Sequence, residues 1–239
     1  MLKRGHSIMA IVTLEGAYNV RTSGLPGVFR GAALDELTPA GTATFAGLDI
    51  SVVIDLREVA ERGPVRHRAA VVHNPIYRLP DGPPVTGTLE AVYQQMLQTR
   101  GPELTAAVAV IAETTGAVFV HCSAGKDRTG LVVALALLAV GTPRPEVIAD
   151  YVLSAEQVAP HRHDHARTVL GSFQLTGAQL ADAMRLHLDS PEDALMFALA
   201  QIDELGGSVA YLRRHGLTSA QLHQLRTRLA DARVRTDDE

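Results

Sequence analysis

Val118-Phe119-Val120-His121-Cys122-Ser123-Ala124-Gly125-Lys126-Asp127-Arg128-Thr129-Gly130 runs directly into an apolar stretch that ends at Val140. Consecutive bulky apolar residues without alternation suit a short strand covered on both faces, Ala117 to His121. Ser, Gly and charged residues then break the run into a tight loop. Asp127 to Val140 is apolar enough for a helix buried on most sides, and Gly141 stops it. The single cysteine of the chain sits at the mouth of the loop, an arginine follows six residues later, and a hydroxyl comes next.

Outward from this unit the pattern repeats. Upstream, Ile50 to Leu56 is a second apolar run, ending in Asp55-Leu56-Arg57 where α/β sheets present charges to a ligand crevice. Val71 to Ile76 is a further strand. Thr38 and Pro39 open a helix to about Leu48, with Thr as N-cap. Helices are expected from Leu89 to Gln98 and from Pro102 to Thr114, with a Pro/Gly loop from Leu79 to Gly87. Residues 10–36 mix β-branched residues with Gly and Pro, as short strands and hairpins do. Downstream, a helix spans Pro145 to Gln157. Beyond Pro160 only helical patterns follow, at 176–188, 191–204, 207–215 and 219–232, and the tail from Arg233 is polar. The expected fold is therefore α/β, a central and mostly parallel sheet flanked by helices, with an all-helical C-terminal part. One domain is expected over 10–239, with residues 1–9 as an extension.

Composition narrows the function. The 239 residues are 46% hydrophobic and 4% aromatic, with no Trp, so aliphatic residues fill the core. A formal net charge of -4 argues against a nucleic-acid binder. One cysteine excludes an internal disulfide and a thiolate zinc cluster. No run is apolar for long enough to span a membrane, and the start lacks an apolar leader core. A cytoplasmic place is expected, with export independent of a signal peptide as the alternative.

A thiol becomes a useful nucleophile only as the thiolate. A helix N-terminus and the N–H groups of a Gly-containing loop stabilise that anion and bind a phosphate beside it. Cys122 is thus the candidate nucleophile, Arg128 a planar fork for two phosphate oxygens, and Thr129 a hydrogen-bond donor to the sulfur. Ser123, Ala124 and Gly125 supply the cradle. Asp127 is the candidate general acid, then general base, and Lys126 a second cation at the rim. A phosphocysteine intermediate would form and be hydrolysed.

His121-Cys122, five residues, Arg128-Thr129 resembles the signature loop of the cysteine-based protein phosphatases. The fuller His-Cys-x-Ala-Gly-Lys-Asp-Arg-Thr-Gly is similar to that of their atypical bacterial and fungal group. Asn19-Val20-Arg21, Phe29-Arg30-Gly31, Val53-Ile54-Asp55-Leu56-Arg57 with Glu61, and Asp150-Tyr151-Val152-Leu153-Ser154 sit where that group has similar motifs. The resemblance implies the cysteine-phosphatase fold and hydrolysis of phosphotyrosine, with phosphoserine and phosphothreonine often accepted. In some members it extends to phosphoinositides. It implies no metal or other cofactor, inorganic phosphate as product, Asp127 as acid within the loop, and Asp55 supporting the loop from the neighbouring strand. Helices form a lid in one mycobacterial member, and 161–205 is the corresponding region. One departure is Thr22, where the group has Asp, which puts any loop support made there in question.

Blander readings stand beside these. Cys122 could be a small buried residue, Asp127 a helix-start acid, and Asp55 and Arg57 strand-end charges. A nucleotide-binding loop fails, because Val120 occupies the required earlier Gly and Asp127 the magnesium-binding hydroxyl position. His161-Arg162-His163-Asp164-His165 reads as a polar linker with a basic patch rather than a metal site. Arg62, Arg66, His67 and Arg68 read as a solvated face. A non-catalytic phosphate-binding module remains the alternative of another class.

Overall fold

The computed structural model describes residues 9–79 and 82–237, with side chains as far as Leu229. Residues 1–8 of the expected extension, and residues 80–81 of the expected loop, lie outside it. In order come β1 (Arg21–Thr22), β2 (Val28–Gly31), α1 (Pro39–Ala46), β3 (Ile50–Asp55), a 3-10 turn (Val59–Glu61) and β4 (Ala70–His73). Then follow α2 (Leu89–Thr99), α3 (Gly101–Glu113), β5 (Ala117–His121), α4 (Asp127–Ala139) and α5 (Arg144–Leu170). The chain ends in α6 (Gly177–Leu188), α7 (Glu192–Glu204), α8 (Ser208–Arg214) and α9 (Ser219–Asp237).

Among the described residues the strands form one sheet in the order β1-β2-β5-β3-β4. β5 lies at its centre, parallel to β2 and to β3, and β3 is parallel to β4. β1 alone is antiparallel, to β2. The apolar run of β5 is explained by burial on both faces. Val118 and Val120 point into the large core built with α2, α3, α4 and the C-terminal helices. Phe119 points the other way, into a smaller core with Leu14, Leu37 and Phe45 of the N-terminal part. α4 follows directly and is buried nearly all round, Leu131 through Leu137 and Ala139 being almost free of solvent contact.

Two helices run further than the sequence suggests. α5 was expected to stop near Gln157, before a polar linker. It continues through Pro160 as a single helix of 27 residues. Proline removes one backbone donor and usually breaks a helix. Here both halves are pinned by tertiary burial, Val158 on one side and Ala166 and Leu170 on the other. α9 likewise carries the polar tail as helix to Asp237. α1, by contrast, starts where its cap predicts, with the Thr38 hydroxyl accepting from Gly41 N at 3.1 Å.

Candidate active site

The loop between β5 and α4 turns at Gly125, whose φ of +68° is a left-handed conformation. A Cβ there would lie 2.1 Å from the carbonyl oxygen of Gly31, so glycine is required by space as well as by backbone. The outer side of the loop is held by a buried polar cluster. Asn19 Nδ2 donates to the carbonyls of Ala124 at 3.0 Å and Gly125 at 3.1 Å. Arg30 Nη2 donates to Gly125 O at 2.7 Å. With these carbonyls drawn outward, the loop is fixed in the turn that presents N–H groups inward.

Asp150 of α5 anchors that cluster. It accepts from Arg21 Nε at 2.8 Å and pairs with Arg30 Nη1. Arg21 also donates to the side chain of Asn19, to Asp150 O at 2.7 Å and to Ser154 Oγ at 3.0 Å. Burial and the neighbouring Arg30 charge lower the Arg21 pKa to about 10, against the opposing pull of Asp150. This is what the scattered Asn-Val-Arg, Phe-Arg-Gly and Asp-Tyr-Val-Leu-Ser motifs are for. The Thr22 hydroxyl accepts from Ala10 N at 2.8 Å.

Inside the loop Cys122 is 3% exposed and lines a cavity of about 800 Å3. Burial alone would raise its thiol pKa. The Arg128 charge and hydrogen bonding from Thr129 outweigh it, and the net direction is down. The Thr129 hydroxyl is buried and, among the described residues, has no acceptor other than the Cys122 sulfur. Arg128 is gripped by Glu61: Nη1 donates to Oε2 at 2.6 Å and Nη2 to Oε1 at 2.7 Å. Its guanidinium also lies 4.9 Å from the centre of the Tyr77 ring. Burial works against the Arg128 charge, but Glu61 and Cys122 more than offset it, so the guanidinium stays protonated. Ser123 donates its hydroxyl to Glu61 as well.

Asp127 opens α4 and lines the same cavity. Its Oδ1 accepts from Tyr93 OH at 2.8 Å and from Lys126 Nζ at 2.7 Å. With Oδ1 taken by two donors, Oδ2 is the oxygen left for a transferable proton. Tyr93 in turn shares a 2.6 Å hydrogen bond with Tyr151.

Lys126 is placed differently from expectation, and Asp55 lies beneath the loop on the neighbouring strand. The Lys126 ammonium is not at the rim. Lys126 is 1% exposed, and its Nζ also donates to the carbonyls of Leu186 at 3.1 Å and Asp189 at 2.6 Å. Asp55 does not line the cavity over the loop. It binds Arg57, accepting from the backbone N at 3.0 Å and from Nε at 2.9 Å, with Nε2 of His121 at 3.9 Å. Arg57 then pairs with Asp35 at the cavity wall. Spacing in the sequence gave no sign of the grips by Glu61, Tyr93 and Asp150, since each joins residues far apart in the chain.

The wall facing the loop comes from α5, α6 and the segment around Pro84. Tyr18 stacks on His161, ring centres 4.5 Å apart and planes 10° from parallel. Leu186 and His187 of α6 close another side, and His187 Nε2 lies 2.9 Å from Val85 O.

Comparison with known proteins agrees with this geometry. The family model described as the tyrosine phosphatase family matches residues 12–231. The triple specificity protein phosphatase PtpB of Mycobacterium tuberculosis (strain ATCC 25618 / H37Rv) is 30% identical, covering 91% of this chain and 98% of its own. A tyrosine-protein phosphatase of Nostoc commune is 31% identical over 52% of this chain and 42% of its own. A buried cysteine in the loop between β5 and α4, an arginine held by Glu61 and a match over almost the whole length lead to one conclusion: this chain belongs to the tyrosine phosphatase family.

Proposed function

We propose that the protein hydrolyses phosphotyrosine in proteins, and phosphoserine or phosphothreonine as well, through a phosphocysteine intermediate. The observation that carries this is the Cys122 thiol beside Arg128 in a loop whose carbonyls are drawn away from the cavity. The loop N–H groups receive the phosphoryl oxygens together with Arg128, through its Nε–H and the Nη2 that now points weakly at Ser123. The thiolate attacks phosphorus, the P–O bond to the leaving group breaks, and Asp127 gives its Oδ2 proton to that oxygen. Asp127 then takes a proton from water, which displaces sulfur and releases inorganic phosphate.

Substrate range in this proposal draws on the named specificity of the mycobacterial relative and on a cavity within the roughly 300–1,000 Å3 typical of small-ligand clefts. A phosphoinositide substrate loses the support expected from Lys126, whose ammonium is spent on protein acceptors. The lid function expected for 161–205 belongs to the proposal too, supported by the cavity wall that His161 to Val169 and Leu186 provide. So does a cytoplasmic place, which rests on the sequence reading. Among the described residues no helix is long and apolar enough to cross a membrane.

The test is hydrolysis of p-nitrophenyl phosphate and of phosphotyrosine peptides, with and without chelator. Cys122→Ser is expected to abolish turnover while phosphate still binds. Asp127→Asn is expected to slow phosphotyrosine more than p-nitrophenyl phosphate, whose leaving group needs less protonation. Full turnover by Cys122→Ser would refute the mechanism, and equal losses in Asp127→Asn would move the acid elsewhere.

A further inference from the structure

The segment His161-Arg162-His163-Asp164-His165 is not used by the phosphoryl chemistry. Because α5 continues through Pro160, positions 161, 162, 165 and 169 repeat at helical spacing and share one face. Those four residues all line the active-site cavity, and His187 of α6 joins them. His163 falls off that face, into a separate groove beside Phe173 and Leu180. The Asp164 side chain is fully exposed, with only His163 near it at 3.4 Å. The segment therefore turns its anion to solvent and its basic groups to the cavity.

Arg162 is the strongest of these groups. It is half-buried, and its guanidinium stands beside the Tyr18 hydroxyl, which also lies within electrostatic reach of Cys122. Among the described residues it has no carboxylate partner, and its Nε is buried with no hydrogen bond. The phosphoryl group does not need it, since Arg128 and the loop already meet that charge. Of the acidic residues that line the cavity, Asp35, Glu61 and Asp127 are engaged by Arg57, Arg128 and Lys126, and Glu36 is exposed, which leaves Arg162 of α5 as a cavity cation without a carboxylate partner among the described residues.

We propose that Arg162, flanked by His161, His165 and His187, forms a second anion subsite that receives an acidic side chain adjacent to the phosphorylated residue of a peptide substrate. This rests on the phosphatase reading above and adds a substrate class to it. A peptide is favoured over an inositol headgroup by the remaining walls. Leu14, Ala17, Pro84 and Val85 are apolar and suit an aromatic ring and its neighbours. A ring of hydroxyls would find few partners on those walls.

The experiment compares kcat/KM at low ionic strength for phosphotyrosine peptides that differ only in Glu or Gln next to the phosphotyrosine, on either side. p-Nitrophenyl phosphate is the reference, and a soluble inositol bisphosphate is the competing ligand. The Glu peptide is expected to be preferred about tenfold, the effect of one charge-assisted hydrogen bond, through KM rather than kcat. Arg162→Ala should bring the Glu/Gln ratio close to one, and Arg162→Glu should reverse it in favour of a Lys peptide. A wild-type ratio of one, or a ratio that survives both variants, overturns the subsite while leaving the phosphatase reading intact. A ratio of one together with Arg162-dependent turnover of the inositol bisphosphate overturns it in favour of a headgroup site. Failure of the wild type to hydrolyse even p-nitrophenyl phosphate would overturn the phosphatase reading, and this proposal with it.

Discussion

Asp150→Asn should be among the most damaging single substitutions outside the loop, although Asp150 touches neither the cavity nor the nucleophile. Asp150 is 2% exposed, and its partners Arg21 and Arg30 are 1% and 0% exposed. Removing its charge leaves two guanidiniums buried together with no counter-ion. Breaking a buried ion pair from one side costs about 3–5 kcal/mol. At about 2–4 °C per kcal/mol for a domain of this size, the melting temperature should fall by roughly 10 °C. Activity should fall with it, because Arg30 and Asn19 hold the carbonyls of Gly125 and Ala124. Urea unfolding followed by circular dichroism gives the stability, and p-nitrophenyl phosphate turnover at a temperature where the variant is folded gives the activity. A triple variant, Arg21→Met with Arg30→Met and Asp150→Leu, separates the two effects. Removing all three charges together should restore most of the stability, because nothing buried is left unpaired. It should not restore full activity, because Gly125 O has lost its closer donor, Arg30 Nη2, and keeps only Asn19 Nδ2, which Arg21 no longer holds in place. The reasoning is refuted if Asp150→Asn unfolds within about 1 kcal/mol of wild type, or if the triple variant is fully active.

Thr129→Val removes a donor to the thiolate. The Cys122 pKa, now depressed, should rise, and the acid limb of kcat/KM should move to higher pH. Activity is then lost at the low-pH end, and an unmoved limb would show that Thr129 does not act on the sulfur. Gly125→Ala must push against Gly31 O at 2.1 Å in a left-handed turn. It should lower stability by about 2 kcal/mol and abolish phosphate binding, as read by calorimetry; normal phosphate affinity would contradict the turn.

What could be read from the chain divides by distance. The proposed nucleophile, fork and acid lie within seven residues, Cys122 to Arg128, and the Val-Phe-Val run before them suits a strand buried on both faces, as β5 proves to be. The strand ending in Asp55 could be read for the same reason. The grip of Glu61 on Arg128 spans 67 residues, and that of Arg30 on Gly125 spans 95. Such pairs depend on strand order and on which helix face turns inward, and no local spacing encodes either. The Pro160 stop failed because a local rule met burial on both sides of it. Lys126 misled for a related reason: its charge suggested solvent, while the acceptors that bury it lie 60 and 63 residues further along.

The buried lysine gives the enclosure an electrical hinge pin. Its ammonium touches the end of α6, the carbonyl just beyond it, and Asp127, the proposed acid. Any movement that carries α6 away from the loop strips the ammonium of two acceptors and leaves it leaning on Asp127 alone. Lys126 thus ties the position of α6 to the charge beside Asp127: with α6 in place the ammonium is shared among three acceptors, and without it that charge would rest on the carboxylate by itself.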